Sequence, residues 1–312
     1  MPAPRPILSV NIAPLSADDQ DRLLKALDEI VQTTPPFTKR EQPSGEIVLA
    51  GESEAHLQAI CALLRHDRNI DIAISPPQVI YLETILKPSD AEGKYIRQTG
   101  GSGNYGHVKI RLEPQDSGAG IHFINEIHGG VIPSQYIQPI EQGVREAARE
   151  GILTGHEMTD LKVTLYDGSH HKSDSNAAAF QIAASVAMQE AATKAMPILI
   201  EPWMSVDFSV SGRHSRAILQ DISARSGRIQ SVEQAHAHEV IKALVPLSEM
   251  LGYPNAIPSV VLARASHTMQ FSHYARVEWP PDSDAANASV RNPREPAPRP
   301  HRAAVDPDSD WT

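Results

Sequence analysis

Two segments of this chain alternate between strand and helix patterning in the same order. In residues 7–74, a strand at 7–13 is followed by a helix, two short strands around a Pro-Ser-Gly turn, a second helix and a last strand at 69–74. Residues 202–274 repeat this order with little sequence similarity. Because strand–helix–strand–strand–helix–strand is a split βαβ arrangement, each segment is predicted to fold as a small ferredoxin-like α+β unit.

Capping residues and apolar spacing define the helices of the first segment. Ser16 stands at an N-cap position and is followed by two acidic residues, which the helix dipole favours in a first turn. Ser53 is the N-cap expected for the second helix. That helix places four apolar residues on one face: Leu57, Ile60, Cys61 and Leu64. Cys61 is therefore interpreted as a small buried hydrophobic residue.

The third segment has its own local signals. We predict a helix at 215–225 that ends at Gly227 as a C-cap, and an interrupted helical stretch at 247–265 that contains Gly252, Pro254 and Pro258. The predicted strands are 204–210, 228–232, 239–245 and 268–272.

The middle segment, residues 79–200, has a different order. Its predicted strands are 79–85, 94–99, 107–113, 122–127 and 162–166. A helix is predicted at 134–150, and an alanine-rich helix at 176–195 with cap candidates at Ser173–Ser175. The chain is thus divided into domains 1–78, 79–200 and 201–278. Residues 279–312 contain seven prolines and few apolar groups, so a disordered tail is predicted there.

Charge and cysteine content narrow the function classes. The 312 residues carry a formal net charge of −10, which excludes a protein that holds nucleic acid by bulk electrostatics and leaves only local contact surfaces. Residues 201–278 are neutral, with seven basic and seven acidic residues. A single cysteine excludes a disulfide framework and fits a reducing compartment. No apolar stretch approaches the ~18 residues of a membrane span, so a cytoplasmic protein is expected.

A glycine-rich stretch, GGSGNYGHV, begins at Gly100 and precedes a predicted strand. The dinucleotide fingerprint requires a helix after its last glycine, so that interpretation fails. A kinase loop needs further motifs that the chain lacks in order, and no GxxxxGK[ST] motif is present. The residue types of this stretch, taken by themselves, therefore favour a flexible tip of a β-hairpin.

A second polar loop, YDGSHHKSDS, lies between a predicted strand and the alanine-rich helix. His170 and His171 are candidates for metal ligands, for an acid–base pair or for an exposed polar tip. Adjacent histidines rarely bind one metal without a third ligand, and none is evident, so the polar tip is favoured. His236 and His238 are spaced so that both could lie on one face of a strand, which is also a known metal-ligand geometry, but an ordinary edge strand is the favoured interpretation.

Taken together, several long motifs resemble translation elongation factor G. They are YLETILKPSDAEGKYIRQTGGSGNYGHVKIRLEP (81–114), GGVIPSQYIQPIEQGVREA (129–147), DLKVTLYDGSHHKSDS (160–175), PLSEMLGYPNAI (246–257) and TMQFSHY (268–274). The resemblance covers residues 6–278, which are similar to the third, fourth and fifth domains of that family. It implies two ferredoxin-like domains flanking a domain like domain 2 of ribosomal protein S5.

The resemblance also implies a site and a partner. The fourth domain of the family contacts the tRNA–mRNA duplex at the decoding site of the ribosome, and the two polar loops here match its tip, with His171 at the family's tip histidine. Glycines allow close approach to an RNA backbone, and the other residue types bond 2′-hydroxyls or phosphates. The implied RNA-binding residues are Gly100, Gly101, Ser102, Gly103, Asn104, Tyr105, Gly106, His170, His171, Lys172, Ser173, Asp174 and Ser175.

The fifth domain of the family lies near ribosomal RNA of the large subunit. The neutral segment supplies candidate phosphate contacts for this role: Arg213, Arg216, Arg225 and Arg228. Departures from the family pattern include Lys172 in place of an acidic residue, Ala177 in place of a glutamate, and the stretch 51–57, which in the family faces the GTPase.

The family's GTPase domain has no counterpart in this sequence, so we expect no enzymatic activity, no catalytic or metal site, and no cofactor in this chain, although the full-length family uses GTP and magnesium. Two hypotheses stay open. The chain is a ribosome-binding protein of translation without its own GTPase, or it is part of a split or truncated GTPase that acts with a separate GTP-binding chain. An RNA-directed enzyme using His170 and His171 is a third, weaker alternative.

Overall fold

The computed structural model describes residues 5–16, 19–33, 37–42, 45–97, 103–235, 238–253 and 265–277. The first unit consists of β1 (Leu8–Pro14), α1 (Gln20–Thr33), β2 (Thr38–Glu41), β3 (Ile47–Gly51), α2 (Glu54–His66) and β4 (Ile72–Ile74). Its strands form an antiparallel sheet in the order β2-β3-β1-β4. This order is the split βαβ arrangement predicted from the sequence.

The second helix of this unit forms as its capping residue and apolar spacing indicate. The side chain of Ser53 accepts a hydrogen bond from the backbone N–H of His56 at 3.2 Å. The four predicted core positions of α2 are all buried: Leu57, Ile60, Cys61 and Leu64. Burial raises the pKa of the Cys61 thiol, so this cysteine is an unreactive core residue.

The middle unit is a four-stranded sheet with two helices. It contains β7 (Ser89–Arg97), β8 (Asn104–Pro114), β9 (Ile121–Asn125), α3 (Ile137–Glu150, after a 3-10 turn at Ser134–Tyr136), β10 (Leu161–Ser169) and α4 (Ala177–Lys194). The strand order is β7-β8-β10-β9, and only the β9–β10 pair among these is parallel. The apolar residues of α3 and α4 form one core with the inward side of this sheet.

The predicted strand at 79–85 is wrong, because two strands form there. β5 (Gln78–Val79) pairs with β1 of the first unit, whereas β6 (Leu82–Ile85) pairs with the first strand of the third unit. Residues 79–82 are all apolar or aromatic, so the sequence pattern does not show where the chain leaves one sheet and joins the next. Similarly, β7 begins at Ser89, five residues before the predicted strand at 94–99.

The third unit repeats the sheet of the first. It consists of β11 (Pro197–Ser211), α5 (Gly212–Ala224), β12 (Arg228–Ala235), β13 (His238–Pro246), a 3-10 turn (Leu247–Met250) and β14 (Ala265–Arg276), with the strand order β12-β13-β11-β14. This confirms an α+β chain with two ferredoxin-like units around the middle one. Most of the helical stretch predicted at 247–265 lies outside the described residues.

The end of α5 differs from the prediction. Ser226, not Gly227, adopts the left-handed conformation, with φ of 57°. Gly227 is required for another reason: a Cβ there would lie 2.6 Å from Cγ2 of Ile222 and 2.8 Å from its carbonyl oxygen. The glycine therefore allows close packing after the helix and is not its C-cap.

The described residues form two apolar cores. Buried residues of the first and third units join into one cluster, whereas those of the middle unit form another. Within the described residues, no helix is both long and apolar enough to cross a membrane. The domain boundaries at 78, 200 and 278 stay predictions, and the predicted tail lies outside the described residues.

A buried carboxylate fastens the loop after α3. Glu83, in β6, is fully buried, and its two carboxylate oxygens accept hydrogen bonds from four backbone N–H groups. The donors and distances are Ile152 at 2.6 Å, Leu153 at 3.0 Å, Thr154 at 2.9 Å and His156 at 3.2 Å. Because β6 pairs with β11, this carboxylate holds the middle unit against the strand that leads into the third unit.

The side chain of His156 is expected to make the protein sensitive to acid. Burial lowers the pKa of His156, although the nearby Glu83 carboxylate opposes this effect, and its Nε2 is buried without a hydrogen-bond partner among the described residues. An unfolded histidine titrates near pH ~6.5, so below that pH the unfolded chain binds a proton that the folded one resists. The free energy of unfolding should therefore fall as the pH drops below ~6.5.

Urea denaturation between pH 8 and pH 5 tests this expectation. His156→Phe keeps a ring against Tyr81, whose centroid lies 5.8 Å away, and removes the titrating nitrogen. This variant should lose less stability on acidification than the wild type. His107→Phe is a second variant, since burial also lowers the pKa of His107. Equal acid slopes in all three proteins would contradict the assignment.

Candidate nucleic-acid interface

The two polar loops predicted from the sequence meet at one end of the middle sheet. β8 begins at Asn104, β10 ends at Ser169 and α4 begins at Ala177, so the segments before β8 and after β10 emerge together. The described part of the glycine loop is 103–106; Gly100, Gly101 and Ser102 lie outside the described residues. We call the surface formed by residues 103–105 and 170–175 the tip.

Hydrogen bonds join the two loops directly. The backbone N–H of Tyr105 donates to the carbonyl oxygen of Asp174 at 2.8 Å, and the N–H of Gly103 donates to the Asp174 carboxylate at 3.1 Å. Nδ2 of Asn176 donates to Oδ1 of Asn104 at 2.6 Å. The loops therefore form one hydrogen-bonded structure.

The loop 170–175 is also closed on itself and anchored to the unit beneath it. The N–H of His171 donates to Oγ of Ser175 at 2.9 Å, and the N–H of Ser175 returns a bond to the His171 carbonyl at 3.1 Å. The Tyr136 hydroxyl donates to the Ser175 carbonyl at 3.0 Å, and Nδ1 of His170 donates to the Val131 carbonyl at 2.9 Å. These contacts fix the backbone that carries the exposed side chains.

The exposed side chains of the tip include an imidazole and an ammonium group. The side chain of His171 is 58% exposed, and the Tyr105 ring lies 6.3 Å from it between centroids. Lys172 is exposed and makes no hydrogen bond or ion pair with the described residues. A hydrogen-bonding ring beside an unpaired cation is the combination expected for contact with a ribose and a phosphate.

The N-cap of α4 is not one of the residues predicted from the sequence. The side chain of Asn176 accepts a hydrogen bond from the N–H of Ala179 at 2.9 Å, so Asn176 is the N-cap of α4. The predicted caps, Ser173–Ser175, are wrong because their groups are used within the loop: Ser175 Oγ accepts from His171, and Ser173 Oγ donates to Asp174.

Gly106 serves packing beneath the tip. A Cβ at this position would lie 2.3 Å from the carbonyl oxygen of Ala179, so only glycine lets β8 pass this close to the first turn of α4. Gly106 thus packs against the helix and is not part of the tip.

Two further polar residues, Ser169 and His107, support the tip and were not among the site residues expected from the sequence. The hydroxyl of Ser169 lies 2.7 Å from both the Tyr105 hydroxyl and Nδ1 of His107. These residues face one another across neighbouring strands, since His107 pairs with Ser169. A period-2 pattern places residues on a face of a sheet but does not give the register between strands, so the sequence held no direct signal for this cluster.

The candidate arginines of the third unit differ in how they are engaged. Arg225 Nε donates to Asp221 at 3.1 Å, one of its terminal nitrogens donates to the Glu249 carbonyl at 2.6 Å, and its guanidinium lies over Tyr253. Arg228 lies 4.7 Å from the centre of the Trp203 ring. Arg216 is exposed on α5 and makes no hydrogen bond or ion pair with the described part of the chain. The side chain of Arg213 is outside that part.

The two adjacent histidines of the tip have separate partners. Among the described residues, no three histidine, cysteine or acidic side chains converge to hold a metal ion. His170 and His171 do not act as a pair, since Nδ1 of the first is bound to the Val131 carbonyl while the second faces Ser173 and Asp174. His236 lies outside the described residues.

Comparison with known proteins gives consistent matches along the chain. Three family models match consecutive segments: "Elongation Factor G, domain III" at residues 3–76, "Elongation factor G, domain IV" at 77–196 and "Elongation factor G C-terminus" at 198–284. None of the three describes a GTP-binding domain.

A crystal structure of a protein from Thermus thermophilus is also similar, with 38% sequence identity and a TM-score of 0.70. The match covers 93% of this chain and 43% of that protein, so the chain spans less than half the length of its relative. With three matched domains in the family's order, the chain belongs to the elongation factor G family of translation and corresponds to its third, fourth and C-terminal domains.

Proposed function

We propose that this chain binds the ribosome in the cytoplasm and that its tip contacts RNA at the decoding site. The observation that carries the proposal is the tip itself: exposed His171 and Lys172, which has no partner among the described residues, stand on one loop that is hydrogen-bonded to the glycine loop. A preformed scaffold loses little conformational entropy on binding. The net charge of −10 is no obstacle, since contact is confined to a small surface.

Neutralising the cation of the tip should weaken binding to ribosomes. Lys172→Ala is expected to reduce affinity about 10-fold in sedimentation with purified ribosomes, because one charge-assisted contact to phosphate is lost. His171→Ala should reduce affinity to a similar extent. The matched control is Lys194→Ala, which removes the same charge at the opposite end of α4, where Lys194 pairs with Glu190.

Two results would contradict the proposal. If the wild-type chain does not sediment with ribosomes, ribosome binding is excluded. If Lys172→Ala and Lys194→Ala bind ribosomes with equal affinity, the tip is not the contact surface.

Arg216 is proposed as a second contact, with ribosomal RNA. It is exposed on α5, whereas Arg225 and Arg228 are held by groups of the chain itself. Arg213, whose side chain is not described, stays a candidate from the sequence alone.

A second candidate function is cooperation with a GTP-binding domain on a separate polypeptide. The three matched family models favour it, because they are those of domains III and IV and the C-terminus of elongation factor G, a family that uses GTP. Adding this chain to the isolated GTP-binding portion of an elongation factor G should then raise ribosome-dependent GTP hydrolysis. Hydrolysis unchanged by the chain would exclude this candidate.

A further inference from the structure

A single carboxylate connects both loops of the tip. Oδ1 of Asp174 accepts hydrogen bonds from the N–H of Gly103 at 3.1 Å and from the hydroxyl of Ser173 at 3.2 Å. Its Oδ2 lies 3.0 Å from Nδ1 of His171. The glycine loop and the exposed imidazole therefore depend on the same side chain.

The proton on the His171 ring follows from these contacts. The carboxylate of Asp174 can only accept, so the contact between its Oδ2 and Nδ1 of His171 needs a proton on Nδ1, and the single hydroxyl proton of Ser173 is left to donate to Asp174. Nδ1 of His171 lies 3.1 Å from the same hydroxyl oxygen and 3.0 Å from the carboxylate, which leaves two acceptors facing Nδ1. Nδ1 must then carry the proton of the neutral ring, and Nε2 carries the lone pair.

We infer that Asp174 is a positioning residue, which holds His171 in the Nδ1-protonated form so that Nε2 is an acceptor for the ribose 2′-hydroxyl of RNA. A 2′-hydroxyl donates a hydrogen bond to such a nitrogen, whereas a phosphate oxygen cannot. The imidazole thus suits a hydrogen-bond donor of RNA such as the 2′-hydroxyl and not a phosphate, and Lys172 beside it is the group suited to a phosphate. The identity of the ligand as RNA rests on the proposed function; the protonation state of the ring does not.

The protonation state can be measured on the free protein. Two-bond ¹H–¹⁵N spectra of ¹⁵N-histidine-labelled chain, recorded at pH 8, distinguish the two neutral forms of His171. The wild type should show the Nδ1-protonated form. In Asp174→Ala, the Ser173 hydroxyl is released to donate to Nδ1, so the ring should change to the Nε2-protonated form. An Nε2-protonated ring in the wild type overturns the inference without any variant.

Matched variants separate positioning from general damage. Asp167→Ala removes a carboxylate that pairs with Lys109 at 2.8 Å on the same strand end, and it should leave the His171 signal unchanged. Ser173→Ala keeps the carboxylate and should keep the Nδ1-protonated form. If Asp174→Ala also leaves the His171 form unchanged, Asp174 is not its positioning residue.

Ribosome binding supplies the second readout. Asp174→Ala should lower affinity about 5- to 10-fold, and Asp167→Ala should not. On ribosomes programmed with a codon that carries 2′-deoxyriboses, the wild type should lose affinity, while His171→Ala should be insensitive to the change. Equal sensitivity of both proteins would overturn the 2′-hydroxyl assignment. Failure of the wild type to bind any ribosome would instead refute the proposed function and leave the ring measurement standing.

Discussion

Replacing Gly93 with alanine is expected to destabilise the middle unit by about 3 kcal/mol or more. Gly93 lies within β7 under α4, and a Cβ there would be 1.9 Å from the carbonyl oxygen of Ala183 and 2.8 Å from the backbone nitrogen of Ala187. Both are backbone atoms of a helix, so no side chain can rotate to make room. The whole helix would have to move away from the sheet.

The sign of this effect makes the test informative. In a strand without such a contact, glycine to alanine is neutral or stabilising, because alanine loses less backbone entropy on folding. Urea denaturation should show a lower midpoint for Gly93→Ala. The control is Gly212→Ala at the start of α5, where the nearest atom, 3.2 Å away, is the end of the flexible Glu239 side chain. Equal midpoints for Gly93→Ala and the wild type would show that α4 does not pack as described.

Replacing Glu83 with glutamine is the second substitution with a large expected effect, a loss of about 3 kcal/mol. The buried carboxylate accepts hydrogen bonds from four backbone N–H groups through two oxygens. A glutamine side chain offers one oxygen and an NH₂ group that would face N–H donors. Some of those donors would then be buried without a partner, which is costly in a site closed to water.

Thermal and urea unfolding of Glu83→Gln measure this loss. Glu113→Gln is the matched control, because Glu113 is partly exposed and pairs with Lys162 at 2.8 Å across the strands, an arrangement worth ~0–1 kcal/mol. The two variants differ from the wild type by the same atoms. Similar stability of both variants would contradict the role assigned to Glu83 in fastening the loop after α3.

Sequence patterns predicted the structure correctly where the contacts that determine it lie between residues close together in the chain. The buried face of α2 and its cap at Ser53 both follow from residues within a few positions of one another. Ser173–Ser175 failed as predicted caps because a cap position can be occupied by any of several neighbouring polar residues. Asn176 takes that position while Ser173 and Ser175 are bonded within the loop, and its side chain is also bonded to Asn104, which is 72 residues away in the chain.

In the candidate site too, the sequence predicted what local residues determine and missed what distant contacts determine. The sequence indicated both tip loops, with His171 and Lys172 among their residues, because their composition and motifs are visible along the chain. It did not indicate that Asp174 serves both loops, that Gly106 packs on α4, or that Arg225 is held by Asp221 and Glu249. Each of these depends on a partner that approaches only once sheet and helix have assembled.

By itself, the sequence determined the α+β class, the order of the elements, the repeated split βαβ pattern and the position of the tip in the chain. Periodicity and capping encode the first three of these properties within single elements, and the resemblance of the loop motifs to elongation factor G implies the position of the tip. The tertiary structure alone decided how residues 78–85 divide between two sheets and which glycines lie against a helix. It also decided which ring nitrogen of His171 carries the proton. These depend on register and on hydrogen bonds between distant segments, which no local pattern specifies.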